Sequence, residues 1–361
     1  MAYLKINPKR IIQNIQKINY LVDKHNKKWS LVTKVLSGHK KTLESVLKSD
    51  EITKIHSIAD SRVSNLKTIK NINKNLVTMY LKPPAKSYTK SVVKYADISL
   101  NTEYSTIFSL NEEAKSQNTI HKIIAMIEMG ELREGVVREK FLNFYEKIFN
   151  FSNIEVIGLG TNLGCMYGIE PTYDKLIQLS LYEQLIEMKF QKDISLVSGG
   201  SSITLPLLTK GKLPKHVNHL RIGEAVFLGT TPLTNKKFGK LSTNTFEFLA
   251  NIVELEKKET IPDGVIGKGN VGRNELVKTN DSLGMDYKAL VDFGVVDVDN
   301  AFLQPKDKSV VFLGTTSDLT VYNIGRNIKG YKTSETLAFR PNYMAVAQLM
   351  NSKYITKNIV Y

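Results

Sequence analysis

Apolar residues in this chain fall into two alternating kinds of run. The first kind is short and continuous: 30–34 (SLVTK), 55–60 (IHSIAD), 76–81 (LVTMYL), 97–100 (DISL), 122–130 (KIIAMIEMG), 154–162 (IEVIGLGTN), 193–200 (DISLVSGG) and 217–223 (VNHLRIG). Runs of this length without alternation read as strands buried on both faces. The second kind is amphipathic. Residues 8–26 place Ile11, Ile12, Ile15, Ile18, Leu21 and Val22 on one helical stripe, with Pro8 at a first helical position. TLESVLKS, RVSNLKTIK, TEYSTIFSLNEEAK, EKFLNFYEKIFN and YDKLIQLSLYEQLIEM continue the alternation. Eight buried strands separated by helices predict an α/β fold with a parallel sheet, and eight is the number that closes a (β/α)8 barrel. An open doubly wound sheet is the alternative, since a strand count does not prove closure.

The opening YLKIN reads as one more short strand. Past residue 232 the pattern changes. NTFEFLANIVELEKK, MDYKALVDFG, SVVFLGTTSDLTVYNI and ETLAFRPNYMAVAQLM are β-rich stretches broken by Gly, Asn, Asp and Lys. The expected division is therefore a barrel over residues 1–231 and a C-terminal, mainly antiparallel β domain over 232–361.

Polar residues gather at the carboxyl ends of the apolar runs: Lys34, Asp60, Glu128, Asn162, Ser198 and Arg221. Core packing alone gives no reason for that asymmetry, whereas a barrel that works at its C-terminal rim does. Lys34 would be held at the end of a buried strand and partly desolvated, which frees an amine to act as a nucleophile toward an aldehyde. Arg133 and Arg221 stand at matching places on later runs. Ser198-Gly199-Gly200-Ser201-Ser202 and Gly223-Glu224-Ala225 add backbone amides suited to a phosphate. Each feature alone is ordinary, a solvated lysine or a Ser/Gly loop. Together they suggest a phosphorylated aldehyde cofactor, pyridoxal 5'-phosphate.

Composition changes this picture little. The net charge is +15 over 361 residues, but the lysines are spread along the chain beside asparagines, with no basic block interleaved with aromatics. Solvated helix faces explain them better than a nucleic-acid footprint. The single cysteine, Cys165, rules out an internal disulfide framework and fits a reducing, cytoplasmic setting. No apolar run reaches the roughly 18 residues that would span a bilayer, and MAYLKINPKR has no signal-peptide core. The expected partner is a small-molecule substrate, with neither nucleic acid nor membrane.

Over nearly its whole length the chain resembles the fold-type III pyridoxal-phosphate enzymes related to alanine racemase. The resemblance is carried by VTKVLSG, IADSRVSNLK, VKYADISLNTE, IEMGELREGV, GLGTNLGCMYG, VSGGSS, LRIGEAVFLG, GTTSDL and PNYMAVAQLMNSKYITK. IEMGELREGV and LRIGEAVFLG are the more specific of these. The resemblance implies a head-to-tail homodimer in which one barrel meets the partner's β domain. It implies that Lys34 holds the cofactor covalently and that Arg221 faces the pyridine nitrogen. Arg133 would lie near the cofactor's phenolic oxygen or the substrate carboxylate. Ser202 and the Gly223-Glu224 backbone would bind phosphate, with help from Tyr343. Ser201 stands where relatives often carry asparagine.

The implied activity is racemisation of a basic amino acid, ornithine before lysine, and Asp318 is the leading reader of the distal ammonium. Asp297 and Asp299 are the other acids available, and each of the three also suits a turn. Racemisation needs a proton donor opposite Lys34. The tyrosine that alanine racemases use has no counterpart in Gly267-Lys268-Gly269-Asn270. Cys165 and Tyr343 are the candidates, with an inert buried thiol as the plain alternative for Cys165. Competing readings are a racemase of alanine or another neutral amino acid and a non-catalytic carrier of the cofactor. An aldolase would need a metal cluster that the scattered histidines do not offer.

Overall fold

The structure, a computed structural model, describes residues 1–265, 272–274 and 284–361. The chain forms two compact units, Lys9–Thr243 and Met1–Pro8 with Asn244–Tyr361.

The chain opens with β1 (Tyr3–Ile6), which belongs to the second unit, and α1 (Pro8–Lys24) leads into the first. Eight parallel strands then close into a barrel: β2 (Lys28–Val32), β3 (Ser57–Asp60), β4 (Thr78–Tyr80), β5 (Ile98–Asn101), β6 (His121–Met126), β7 (Ile154–Gly160), β8 (Leu196–Ser201) and β9 (His219–Ile222). Each overlaps one of the eight apolar runs. Closure is explicit in the register, since Ser30 on β2 pairs with Ser57 on β3 and with Arg221 on β9. This excludes the open sheet.

The intervening helices are α2 (Lys40–Leu47), α3 (Val63–Ile72), α4 (Thr89–Tyr95), α5 (Tyr104–Ser116), α6 (Phe141–Ile148) and α7 (Tyr173–Phe190), with the short α8 (Leu205–Thr209) and α9 (Glu224–Leu228) at the end. Ile11, Ile15, Ile18 and Val22 of α1 are buried, as their spacing requires. Val32, Ala59, Met79, Ile98, Leu100, Ile124, Met126, Ile157 and Leu196 form one apolar cluster on the strands. Asn14 is buried on α1 because its side-chain amide donates to Val226 O and Ser242 O, both at 2.9 Å, and accepts from Ser242 N at 2.7 Å. A hairpin of β10 (Thr230–Thr231) and β11 (Lys236–Lys237) ends this unit.

The second unit is built on a sheet with nine strands among the described residues. β1 lies between β12 (Phe246–Glu259), to which it is antiparallel, and a parallel strand near the chain's end. The remaining strands in chain order are β13 (Arg273–Asn274), β14 (Met285–Val291), β15 (Leu303–Pro305), β16 (Val311–Thr315), β17 (Thr320–Asn323) and β18 (Thr336–Pro341). The helix α10 (Tyr343–Asn351) and the strand β19 (Thr356–Ile359) follow. Phe248, Phe293 and Phe339 meet as a buried aromatic cluster, ring centroids 5.0–6.0 Å apart.

The boundary thus differs from the expected 231/232. The opening strand joins the C-terminal sheet through pairs such as Leu4 with Phe248, and the hairpin after residue 229 stays with the barrel. No helix among the described residues is long and apolar enough to cross a membrane.

Candidate active site

All eight barrel strands run in parallel, so their carboxyl ends share one rim. β2 ends at Val32, Thr33 turns (φ −94°, ψ 0°), and Lys34 starts a single 3-10 turn. Lys34 is exposed rather than partly desolvated, because the strand stops two residues before it. Its turn is braced from the neighbouring strand. The Thr33 hydroxyl donates to Asp60 Oδ2 (2.9 Å), while Asp60 Oδ1 accepts from Arg62 N and Asn65 Nδ2, each at 3.0 Å. Burial pushes the Asp60 carboxyl above its usual range against these hydrogen bonds. Gly38, at φ +71°, closes the brace, and a Cβ there would lie 2.4 Å from Asn65 Oδ1. Asp60 therefore belongs to the support of Lys34, a task its place at a strand end did not specify.

Arg221 is 4% exposed. Its Nη2 donates to Thr161 O (2.7 Å) and Asn162 Oδ1 (2.9 Å), and its Nη1 to Ser198 O (3.3 Å) and the Ser198 hydroxyl. These partners lie on or just past β7 and β8, so the guanidinium is fixed across three adjacent strand ends. Burial lowers its pKa to about 10, against the nearby Cys165 thiol and Glu134 carboxyl, so Arg221 is a cation at neutral pH.

Arg133 follows β6 on a loop that two glutamates fold. Glu128 accepts from Gly130 N (2.6 Å) and Leu132 N (2.9 Å). Glu131, buried, accepts from Cys165 N (3.2 Å), Met166 N (2.8 Å), Tyr167 N (3.1 Å) and Ile169 N (2.8 Å), which ties the β6 and β7 loops together. Gly135 is required there, since at φ +150° a Cβ would come within 2.3 Å of Glu128 N.

Arg133 makes a two-pronged ion pair with Glu134, which also accepts from Asn162 Nδ2. That pairing, against burial and with help from the Cys165 thiol, raises the Arg133 pKa above its ordinary value. Burial would raise Glu134, but Arg133 and Asn162 hold its carboxyl below the usual range. Arg133, Glu134, Asn162 and Arg221 thus form one connected line, and Cys165 lies beside it. Asn162 and Glu134 join the two arginines in that line, a place the sequence reasoning did not give them.

Ser202 Oγ accepts from Gly223 N (3.3 Å) and Ala225 N (3.1 Å), which brings the two expected phosphate segments together. Ser201 ends β8 in register with Arg221. The Glu224 carboxylate is occupied by Thr230 (3.0 Å) and raised by burial, so its backbone rather than its side chain suits an anion.

Tyr343 and Asp318 belong to the other unit. Tyr343 is the first residue of α10 and half-buried. Asp318 is exposed in the turn between β16 and β17, where Ser317 Oγ donates to it at 2.5 Å. Asp299 caps a 3-10 turn and pairs with Arg273 (3.4 Å), and Asp297 accepts from Ser352 (3.0 Å), so both have structural partners. Gly267-Lys268-Gly269-Asn270 lies outside the described residues.

Residues 6–231 match the family model described as alanine racemase, N-terminal domain. The chain is 31% identical over 358 residues to the ornithine racemase of Acetoanaerobium sticklandii, covering 99% of each chain. It is 31% identical over 355 residues to the lysine racemase of Thermotoga maritima, covering 98% of this chain and 97% of that one. The alanine racemase of Bartonella henselae, solved with covalently bound pyridoxal phosphate, superposes with a TM-score of 0.72 at 12% identity over 99% of both chains. A shared barrel with its C-terminal sheet, a matched N-terminal domain and likeness to two racemases from end to end lead to one conclusion: this chain belongs to the alanine racemase family.

Proposed function

We propose that the protein is a pyridoxal-phosphate-dependent racemase of basic amino acids, with ornithine preferred to lysine. The observation that carries this is the likeness to an ornithine and a lysine racemase over almost the whole chain. The rim supports the cofactor by its chemistry. An exposed amine, a buried arginine and a hydroxyl-amide cluster answer an aldehyde, a ring nitrogen and a phosphate in turn. The Thr161 hydroxyl beside Arg221 is buried without a partner, a further polar atom available to a ligand. When bound, the cofactor supplies an electron-withdrawing ring that acidifies the Cα–H of an attached amino acid.

In this reading Lys34 Nζ would hold the cofactor through its aldehyde and would take or return the Cα proton on its own face. Arg221 keeps a permanent positive charge toward the ring nitrogen and withholds a proton from it. That fixed charge would weaken the electron withdrawal the cofactor supplies, so that return of the proton to Cα, and with it racemisation, would be favoured over transamination. Arg133, fixed by Glu134, offers its remaining N–H groups to a carboxylate or phenolate oxygen. Ser201, Ser202 and the Gly223-Glu224 backbone receive the phosphate. Cys165 and Tyr343 are the proposed donors for the opposite face, and Asp318 the proposed reader of the distal ammonium.

The last two assignments go with a homodimer in which Tyr343 and Asp318 come from the partner copy. The single cysteine supports a reducing, cytoplasmic location. Incubation of the cofactor-loaded protein with single L-amino acids, followed by chiral separation, tests the proposal. D-Ornithine should form fastest, D-lysine next and D-alanine slowly. Alanine turnover without ornithine or lysine turnover would mark a neutral amino-acid racemase.

A further inference from the structure

Below the rim, the barrel interior contains a line of polar side chains on β2, β3, β8 and β9. Ser57 Oγ lies 2.6 Å from Ser30 Oγ, and Ser30 Oγ lies 2.8 Å from His219 Nε2. His219 Nδ1 lies 2.8 Å from Ser198 Oγ, the oxygen to which Arg221 Nη1 donates. Ser30, Ser198 and His219 are fully buried, Ser57 nearly so. His219 and Arg221 are two residues apart on one strand, so both point to the barrel interior.

Donor accounting fixes the direction of the line. A guanidinium only donates, so the Ser198 oxygen accepts from Arg221. The Ser198 proton then has His219 Nδ1 as its acceptor, which requires that nitrogen to be bare. A neutral His219 so oriented carries its proton on Nε2 and donates to Ser30 Oγ, whose proton turns to Ser57 Oγ. Met79 Sδ, 3.9 Å from Ser30 Oγ, is the weaker alternative acceptor.

A protonated His219 would push a second N–H toward an oxygen that already accepts from Arg221. The charged or titratable groups facing it are the His56 ring (centroids 5.2 Å apart), Arg221 and Lys28, and none is acidic. Burial first, then these neighbours, hold its pKa well below the ordinary histidine value.

We infer that His219 is a positioning residue for Arg221: its bare Nδ1 takes the Ser198 proton, so the Ser198 oxygen is presented to the guanidinium. Without that acceptor the Ser198 hydroxyl is free to rotate, and Arg221 loses one of the contacts that aim it. The role of Arg221 toward the ring nitrogen rests on the proposed function. The hydrogen-bond direction does not.

The test uses two substitutions of similar bulk. In His219→Asn the amide oxygen falls near the lost Nδ1 and still accepts from Ser198. In His219→Gln the amide reaches the Nε2 position and leaves Ser198 without its acceptor. With thermal melts confirming that both fold, His219→Asn should retain most of the racemase kcat. His219→Gln should lose about tenfold in kcat with little change in KM, the scale of one misdirected hydrogen bond.

On the cofactor-free protein, nitrogen-detected NMR should find His219 neutral with its proton on Nε2 across about pH 5 to 8, where ordinary histidines titrate. The Arg221 Nε–H resonance should shift in the Gln variant and hold in the Asn variant. An Nδ1–H tautomer, a titrating His219, or equal effects of Asn and Gln would overturn the inference. A parent protein that racemises nothing would count against the proposed function, and the NMR results would still decide this one.

Discussion

At the scale of single residues, the candidate site rests on groups set back from its rim, Thr33, Asp60 and Asn65 beneath Lys34 among them. Lys34 stood out in the sequence as a candidate because it follows the end of an apolar run. Its brace did not, because Thr33, Asp60, Asn65 and Gly38 meet only once β2 and β3 lie side by side. Gly38 tests the brace. At φ +71° and with Asn65 Oδ1 at 2.4 Å from a would-be Cβ, alanine suffers both backbone strain and a clash. Gly38→Ala should destabilise the protein by about 1–3 kcal/mol, read from denaturant unfolding. It should also weaken cofactor retention by Lys34, whereas Gly211→Ala (φ +65°, open space around its Cβ) should show the smaller, purely conformational cost.

At the scale of elements, the loops after β6 and β7 are held together by Glu131. Burial pushes its carboxyl up, but four backbone N–H groups outweigh that, and the net shift is downward. A carboxyl whose folded pKa lies below its unfolded one stabilises the fold fully above the unfolded value. That contribution is lost as pH falls through the unfolded value, about 4.3, toward the folded one. Glu131→Gln should therefore cost about 2 kcal/mol near neutral pH and progressively less below about pH 4. Hydrogen exchange at Met166, Tyr167 and Ile169 would show it, with faster exchange in the variant at pH 7 and convergence in acid. The sequence motif IEMGELREG looked like chemistry, and only Arg133 in it remains a candidate for that. Glu128, Glu131 and Gly135 build the loop that presents it. Acids flanked by glycines in a loop were the available signal. The eight barrel strands were readable because continuous apolar runs follow from burial on both faces, which needs no knowledge of partners.

At the scale of the whole molecule, the two-part organisation was legible but its boundary was not. β1 pairs with Phe246–Leu249 and with β19, both more than two hundred residues away, and no local pattern reports such a pairing. The interior line from Ser57 to Arg221 escaped for the same reason, since its members come from four strands. Shared sites between two copies are the remaining whole-molecule proposal, and subunit exchange tests it. Lys34→Ala and Tyr343→Ala proteins should each be nearly inactive alone. After mixing, about half the dimers are hybrids and one of the two sites in each is intact, so about a quarter of the parent activity should return. Recovery of none, with exchange verified, would assign both residues to the same subunit's site. The central claim, Cα proton exchange on a basic amino acid by a Lys34-anchored cofactor, is tested most directly in heavy water. Incubating the cofactor-loaded protein with L-ornithine should yield D-ornithine carrying deuterium at Cα, without keto acid or carbon dioxide, and Lys34→Ala should yield none. Ornithine and lysine recovered unlabelled and entirely in the L form, from protein with its cofactor bound, would contradict the account.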